Sequence, residues 1–156
     1  MPDIRRLTPE DDAAAEALLR RAFADYVRRL GRAPQGDLDR AAEARAKGGL
    51  AMGLEEYGRL LAVATLHPEA APGVWLLSHL GVDPERQGEA LGDRLLDAAE
   101  AELAAEGAER LQLVTAAFRD DLVGFYARRG FEIVRRGPPG HGEDQHERVR
   151  MEKRLA

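Results

Sequence analysis

The chain has 156 residues, 44% of them hydrophobic and 33% charged, which suits a single folded domain over residues 1–156 and not a disordered segment. Its 23 basic and 28 acidic residues give a formal charge of −5, which argues against nucleic acid as a partner and mildly favours an amine-bearing one. Zero cysteines exclude disulfides, thiolate metal ligands and a cysteine nucleophile; without a membrane-length apolar run or a signal core, no membrane partner and a cytoplasmic location are expected.

Asp3–Leu7 is a short strand candidate. Thr8 then caps a helix, with Pro9 at its first position and Glu10, Asp11 and Asp12 in the first turn, where the helix dipole favours negative charge. Ala15, Leu18, Leu19, Ala22, Phe23, Tyr26, Val27 and Leu30 recur at three and four residues and form one buried face, ended by Gly31. A second, more polar helix lies between Pro34 and Lys47, closed by Gly48 and Gly49. Leu50–Glu55 and Arg59–Leu66 read as a hairpin about Tyr57 and Gly58, with His67-Pro68 breaking its second strand.

Val74–Val82 is the central strand. Leu91, Leu95, Ala98, Ala99 and Leu103 mark a helix face running to about Ala105, with Gly107 as its stop. Arg110–Thr115 is a short strand, a helix runs from about Asp120 to Arg129, and Phe131–Arg136 and Glu147–Arg154 are the last strands. Residues 137–142, rich in proline and glycine, form a loop. Such an order implies an α/β (α+β) fold, a mixed β-sheet flanked by helices on both faces.

Chemistry concentrates in residues 74–103, where an apolar strand runs through a sharp loop into a helix that begins with small residues. The first turn of a helix has amides without intrahelical partners and the positive end of the dipole, so it can hold a phosphate without a cationic side chain. Gly88, Ala90 and Gly92 put little between those amides and a ligand. An ordinary strand–turn–helix connection has the same spacing.

Gln87, Gly88, Glu89, Ala90, Leu91 and Gly92 resemble the pyrophosphate loop of the GCN5-related N-acetyltransferases: glutamine or arginine, two residues, glycine, one residue, glycine or alanine. Ala90 departs from the pattern by standing where a glycine is usual, and Val82-Asp83-Pro84-Glu85 is similar to the family's strand exit. A second resemblance is Leu122-Val123-Gly124-Phe125-Tyr126-Ala127-Arg128-Arg129-Gly130-Phe131, like the family segment that presents a tyrosine to the cofactor sulfur. The resemblance covers nearly the whole chain and implies an acyl-CoA N-acyltransferase fold with acetyl-CoA as cosubstrate and no metal.

By that resemblance Gln87 to Asp93 hold the diphosphate, Leu80 and Val82 bond the pantetheine arm as an added strand, and residues 23–40 line the acceptor site. The acceptor is then a small-molecule or peptide primary amine, and dimers are common in the family. Tyr126 is the implied general acid, because a phenol with an ordinary pKa near ~10 keeps its proton at neutral pH; a core role for Phe125, Tyr126 and Phe131 is the alternative. Where many relatives have an asparagine on the arm stands Arg119, so that contact is lost or a phosphate is reached instead.

For the proton acceptor the strand offers Ser78 and His79, which alternation puts on opposite faces unless a bulge intervenes. A half-buried structural histidine is the other reading of His79, and a water chain to Glu55 or Glu56 would serve as well. His141 and His146, with Glu143, Asp144 and Gln145, read as a solvated loop and not a metal site. Two competing functions arise, of which the first is set aside and the second stays open. A dinucleotide oxidoreductase needs an acid about 20 residues past the loop, where this chain has LQLVTAAF. A non-catalytic acyl-CoA-binding module needs only the loop.

Overall fold

The computed structural model describes residues 2–31, 38–138 and 146–155. Its elements in chain order are β1 (Asp3–Arg6), α1 (Asp12–Leu30), α2 (Arg40–Ala46), β2 (Leu50–Glu56), β3 (Arg59–Pro68), β4 (Val74–Val82), α3 (Leu91–Ala105), β5 (Arg110–Ala116), α4 (Asp120–Arg128), β6 (Glu132–Gly137) and β7 (Arg148–Arg154). The strands form one mixed sheet in the order β1-β2-β3-β4-β5-β7-β6. The β4–β5 pair is parallel, as the helical crossover between them requires, and the others are antiparallel.

Alternation along β3 sorts the core onto two faces. Ala62, Ala64 and Leu66 pack with Leu91, Leu95, Leu96, Ala99 and Leu103 of α3, while Val63 packs with Ala15, Leu18 and Leu19 of α1 and Ala41 of α2. Two expectations need correction at element ends. Thr8 does not open α1 directly: a single 3-10 turn, Pro9–Asp11, comes first, and the Asp11 carboxylate takes the Thr8 amide at 2.8 Å. Nor does His67-Pro68 break β3. Both pair with β4, opposite Leu76 and Trp75, and proline is tolerated because it is the last residue of the strand.

On α1, Ala15, Leu18, Leu19 and Leu30 are buried as expected, but Ala22, Phe23, Tyr26 and Val27 are only half covered. They border an opening in the sheet. Gly81 of β4 lies beneath this stretch, where a Cβ would come within 3.0 Å of Leu19 and 3.1 Å of Ala22, so the close approach of helix and strand requires glycine.

Candidate active site

Strands β4 and β5 pair only at Val74, Trp75 and Leu76, opposite Arg110, Leu111 and Gln112. Beyond that point they diverge, and a cleft of about 850 Å³ opens between them, walled by α1 on one face and by α3 and α4 on the other. The backbone of β4 faces this split. Asp83 N–H donates to Leu61 O on β3 at 2.8 Å, so alternation turns the N–H groups of Val82 and Leu80 the other way, toward β5.

At the end of β4, Asp83 is buried and accepts from the Glu85 amide at 3.0 Å, from Arg21 at 3.1 Å and from Arg59 at 3.0 Å. The amide bond first, then the two guanidinium groups, hold its carboxyl below the usual range. The turn that follows puts Gly88 at φ 87° and Ala90 at φ 60°, ψ 25°, both left-handed. Nothing lies within 4 Å of a Cβ built on Gly88. The first intrahelical bond of α3 is Arg94 N–H to Ala90 O, so the amides of Leu91, Gly92 and Asp93 precede the helical ladder.

Gln87, Gly88, Ala90, Leu91, Gly92 and Asp93 line the cleft. Glu89 does not. Its carboxylate is turned back to Arg86 at 2.7 and 2.9 Å, and Arg86 also reaches Glu56 at 3.4 Å.

Deeper in the split, the β3–β4 register slips between Thr65 and Leu66: Thr65 faces His79 and Leu66 faces Leu77, so Ser78 is an extra, bulged residue. The bulge overrides simple alternation and brings Ser78 and His79 to the same partner. Thr65 Oγ1 lies 2.7 Å from Ser78 Oγ and 3.1 Å from His79 Nδ1, and Ser78 donates to Thr65 O at 3.0 Å. Phe23 meets the His79 ring edge to face at 5.9 Å. Burial, then the nearby Arg40 cation, pushes the His79 pKa down to about 4, so the ring is neutral at neutral pH.

Across the cleft, Tyr126 of α4 is buried against Phe125 and Phe131, with centroids 5.1 and 5.5 Å away. Its hydroxyl makes no hydrogen bond to a described residue, although the side chain lines the cleft. Burial raises its pKa well above that of an ordinary phenol. Arg129 ties α4 to α3 through Asp93 at 3.1 Å and through Asp97. Arg119 also lines the cleft, but its guanidinium is taken by Asp121 at 2.9 and 2.8 Å and lies over the Tyr26 ring at 5.2 Å.

Tyr26 and Arg40 line the cleft, within the expected acceptor segment but with no individual role read from the sequence, and Thr65, fully buried, stands just behind the lining. Tyr26 reads in the sequence as one more position of a helix face, yet its hydroxyl accepts from the Ala116 amide of β5 at 3.0 Å and bridges the split. Arg40, buried at the start of α2, is paired with Glu16 at 2.9 Å. Thr65 is a hydroxyl amid the apolar residues Leu60 to Leu66, the one signal that marked it. The lining arginines are Arg40, Arg86, Arg119, Arg128 and Arg148, against the carboxylates Asp93 and Asp121, both of which are engaged by arginine. Three of the five arginines are themselves met by carboxylates, Arg40 by Glu16, Arg86 by Glu89 and Arg119 by Asp121. The expected acceptor segment 23–40 and the loop with His141, Glu143, Asp144 and Gln145 lie partly or wholly outside the described residues.

The model of the acetyltransferase (GNAT) family matches residues 13–131, and the chain belongs to that family. Solved structures with the same fold include the ribosomal-protein-S18-alanine N-acetyltransferase of Escherichia coli, at 22% identity and TM-score 0.80 over 100% of this chain and 95% of that one. An N-acetyltransferase from Staphylococcus aureus superposes at TM-score 0.82 with 21% identity, covering 100% and 99% of the two chains. The PaiA N-acetyltransferase of Thermoplasma acidophilum, in complex with coenzyme A, gives 0.74 and 20%, covering 99% of each chain. No curated protein sequence matches the chain.

Proposed function

We propose that the protein transfers an acetyl group from acetyl-CoA directly to a primary amine in a ternary complex. The residues fit the cosubstrate: open space above Gly88 and three unladdered amides suit its diphosphate, and the outward N–H groups of Leu80 and Val82 suit its amide-rich arm. Gln87 to Asp93 would hold the diphosphate, Glu89 through its amide because its carboxylate is committed to Arg86. Arg119 would border the arm without a phosphate, its charge already met by Asp121. The cosubstrate supplies an activated thioester.

The observation that carries this reading is the pairing, across one split, of a neutral imidazole with a protonated phenol. His79 takes the proton that the acceptor nitrogen sheds as its bond to carbon forms, and Tyr126 gives its proton to the departing sulfur. The N–C bond formed balances the C–S bond broken, and solvent resets both side chains. A base of pKa about 4 does not deprotonate an ammonium ion, so the acceptor enters as free amine.

That requirement favours an α-amino group, of ordinary pKa ~8, over a lysine-like or polyamine nitrogen near ~10.4. The Escherichia coli neighbour, named for an alanine of a ribosomal protein, supports an acceptor of that kind. Coenzyme A release across an amine panel tests the assignment. Tyr126→Phe should lower kcat by about 10²-fold or more and leave the KM for acetyl-CoA nearly unchanged. Undiminished turnover removes Tyr126 from the chemistry. Tight coenzyme A binding with no turnover of any amine makes the protein a binding module.

A further inference from the structure

Three contacts and three hydrogens meet at the β4 bulge: Ser78 Oγ to Thr65 O, Thr65 Oγ1 to Ser78 Oγ, and Thr65 Oγ1 to His79 Nδ1. A carbonyl oxygen only accepts, so the Ser78 hydroxyl donates its single hydrogen to Thr65 O. The contact between the two hydroxyls then takes its hydrogen from Thr65. Thr65 has none left, so the third contact takes a hydrogen from Nδ1. One assignment satisfies all three, and it runs from His79 to Thr65 to Ser78 to a main-chain carbonyl. Thr65 is fully buried, which leaves its hydroxyl no competing partner in solvent.

The geometry points to Thr65 and Ser78 as positioning residues that fix neutral His79 in its Nδ1–H tautomer and so turn a bare Nε2 lone pair to the cleft. Nε2 makes no hydrogen bond to a described residue, and His79 lines the cleft. The opposite tautomer would present an N–H to an amine that itself needs to lose a hydrogen, and catalysis by proton acceptance would stop. The groups that bear electrostatically on the ring are Arg40 and Glu43 from α2, Lys47 just past its end and His67 from β3, while α1 contributes the uncharged edge of Phe23. The use of this lone pair as a base rests on the reaction proposed above; the tautomer itself does not.

Nitrogen-15 correlation spectra of the imidazole rings in the intact protein at neutral pH read the tautomer directly. Only four histidines contribute signals, and His79→Gln identifies those of His79. The wild-type spectrum should show a protonated Nδ1 and a bare Nε2. In Ser78→Ala the Thr65 hydrogen loses its acceptor and turns to Nδ1, so His79 should change to the Nε2–H form, with kcat reduced by about 10²-fold. Thr65→Ser, which keeps the hydroxyl, should retain the wild-type tautomer, and Thr65→Val should lose it. A wild-type ring protonated on Nε2, or a Ser78→Ala ring that does not change, overturns the proposal. If the tautomers behave as stated but His79→Gln turns over at the wild-type rate, the base role fails and the hydrogen-bond chain stands.

Discussion

Ala90 holds a backbone conformation that costs an L-residue about 1–2 kcal/mol, at the point where α3 begins. Glycine removes that strain but adds about 0.5–1 kcal/mol of chain entropy to the unfolded state. Ala90→Gly should therefore stabilise the protein by about 0.5–1 kcal/mol net, measured by urea denaturation. A destabilised variant would mean that the turn is not strained. Asp83 gives a second test at this scale. Its folded pKa lies below its unfolded value near ~3.9, so its contribution is complete above about pH 4 and is lost as pH falls through the depressed value. Asp83→Asn should lose stability at pH 7, by about 1–2 kcal/mol because both arginine partners are half exposed. The same variant should show a flatter acid limb than wild type below about pH 4.

The element that sets Tyr126 is α4, which is tied to α3 by apolar packing and by one cation. Arg129, just past its end, is 13% exposed and faces Asp93, Asp97 and Glu100 along α3. Removing the cation leaves three carboxylates gathered on one helix face. Arg129→Gln should cost about 2 kcal/mol of stability and lower turnover with acetyl-CoA, because the phenol then loses its fixed place. A variant as stable as wild type would show that α4 is held by its apolar contacts alone.

Elements were also where the sequence spoke most clearly. The bounds of β4 and α3 follow from residues close together in the chain: an apolar run ended by Asp83-Pro84, and a three-and-four spacing begun at Leu91. The bulge at Ser78 does not, because it is a property of register between β3 and β4 and depends on where Thr65 falls. Alternation within β4 alone put Ser78 and His79 apart, and no feature of that strand read by itself could have joined them. The bridge that Tyr26 makes to β5 was hidden for a similar reason. The spacing of Tyr26 fits a buried helix face, and only the divergence of β4 from β5 turns that position into the wall of a cleft. Pro68 misled in the other direction, since its missing N–H matters only where a neighbour needs it.

Across the whole molecule the formal charge is −5, yet five arginines line the cleft, three of them paired with Glu16, Glu89 and Asp121. A polyanionic ligand such as coenzyme A should then bind more weakly as salt rises, by several-fold between about 0.05 and 0.5 M sodium chloride, where the screening length shrinks to a few ångströms. Titration calorimetry at the two ionic strengths reads the change in Kd, and an affinity indifferent to salt would mean that main-chain donors carry the binding without the arginines.

A sheet seven strands wide that is joined across its middle by only three residue pairs behaves as two plates on a short seam. Across the split the N–H groups of Leu80 and Val82 have no paired strand among the described residues, so their amide hydrogens should trade with deuterium far faster than those of Val63 or Leu113 in the flanking plates. A wedge that fills the gap would act as a missing eighth strand. Coenzyme A should slow that trading at Leu80 and Val82 and make the plates unfold together.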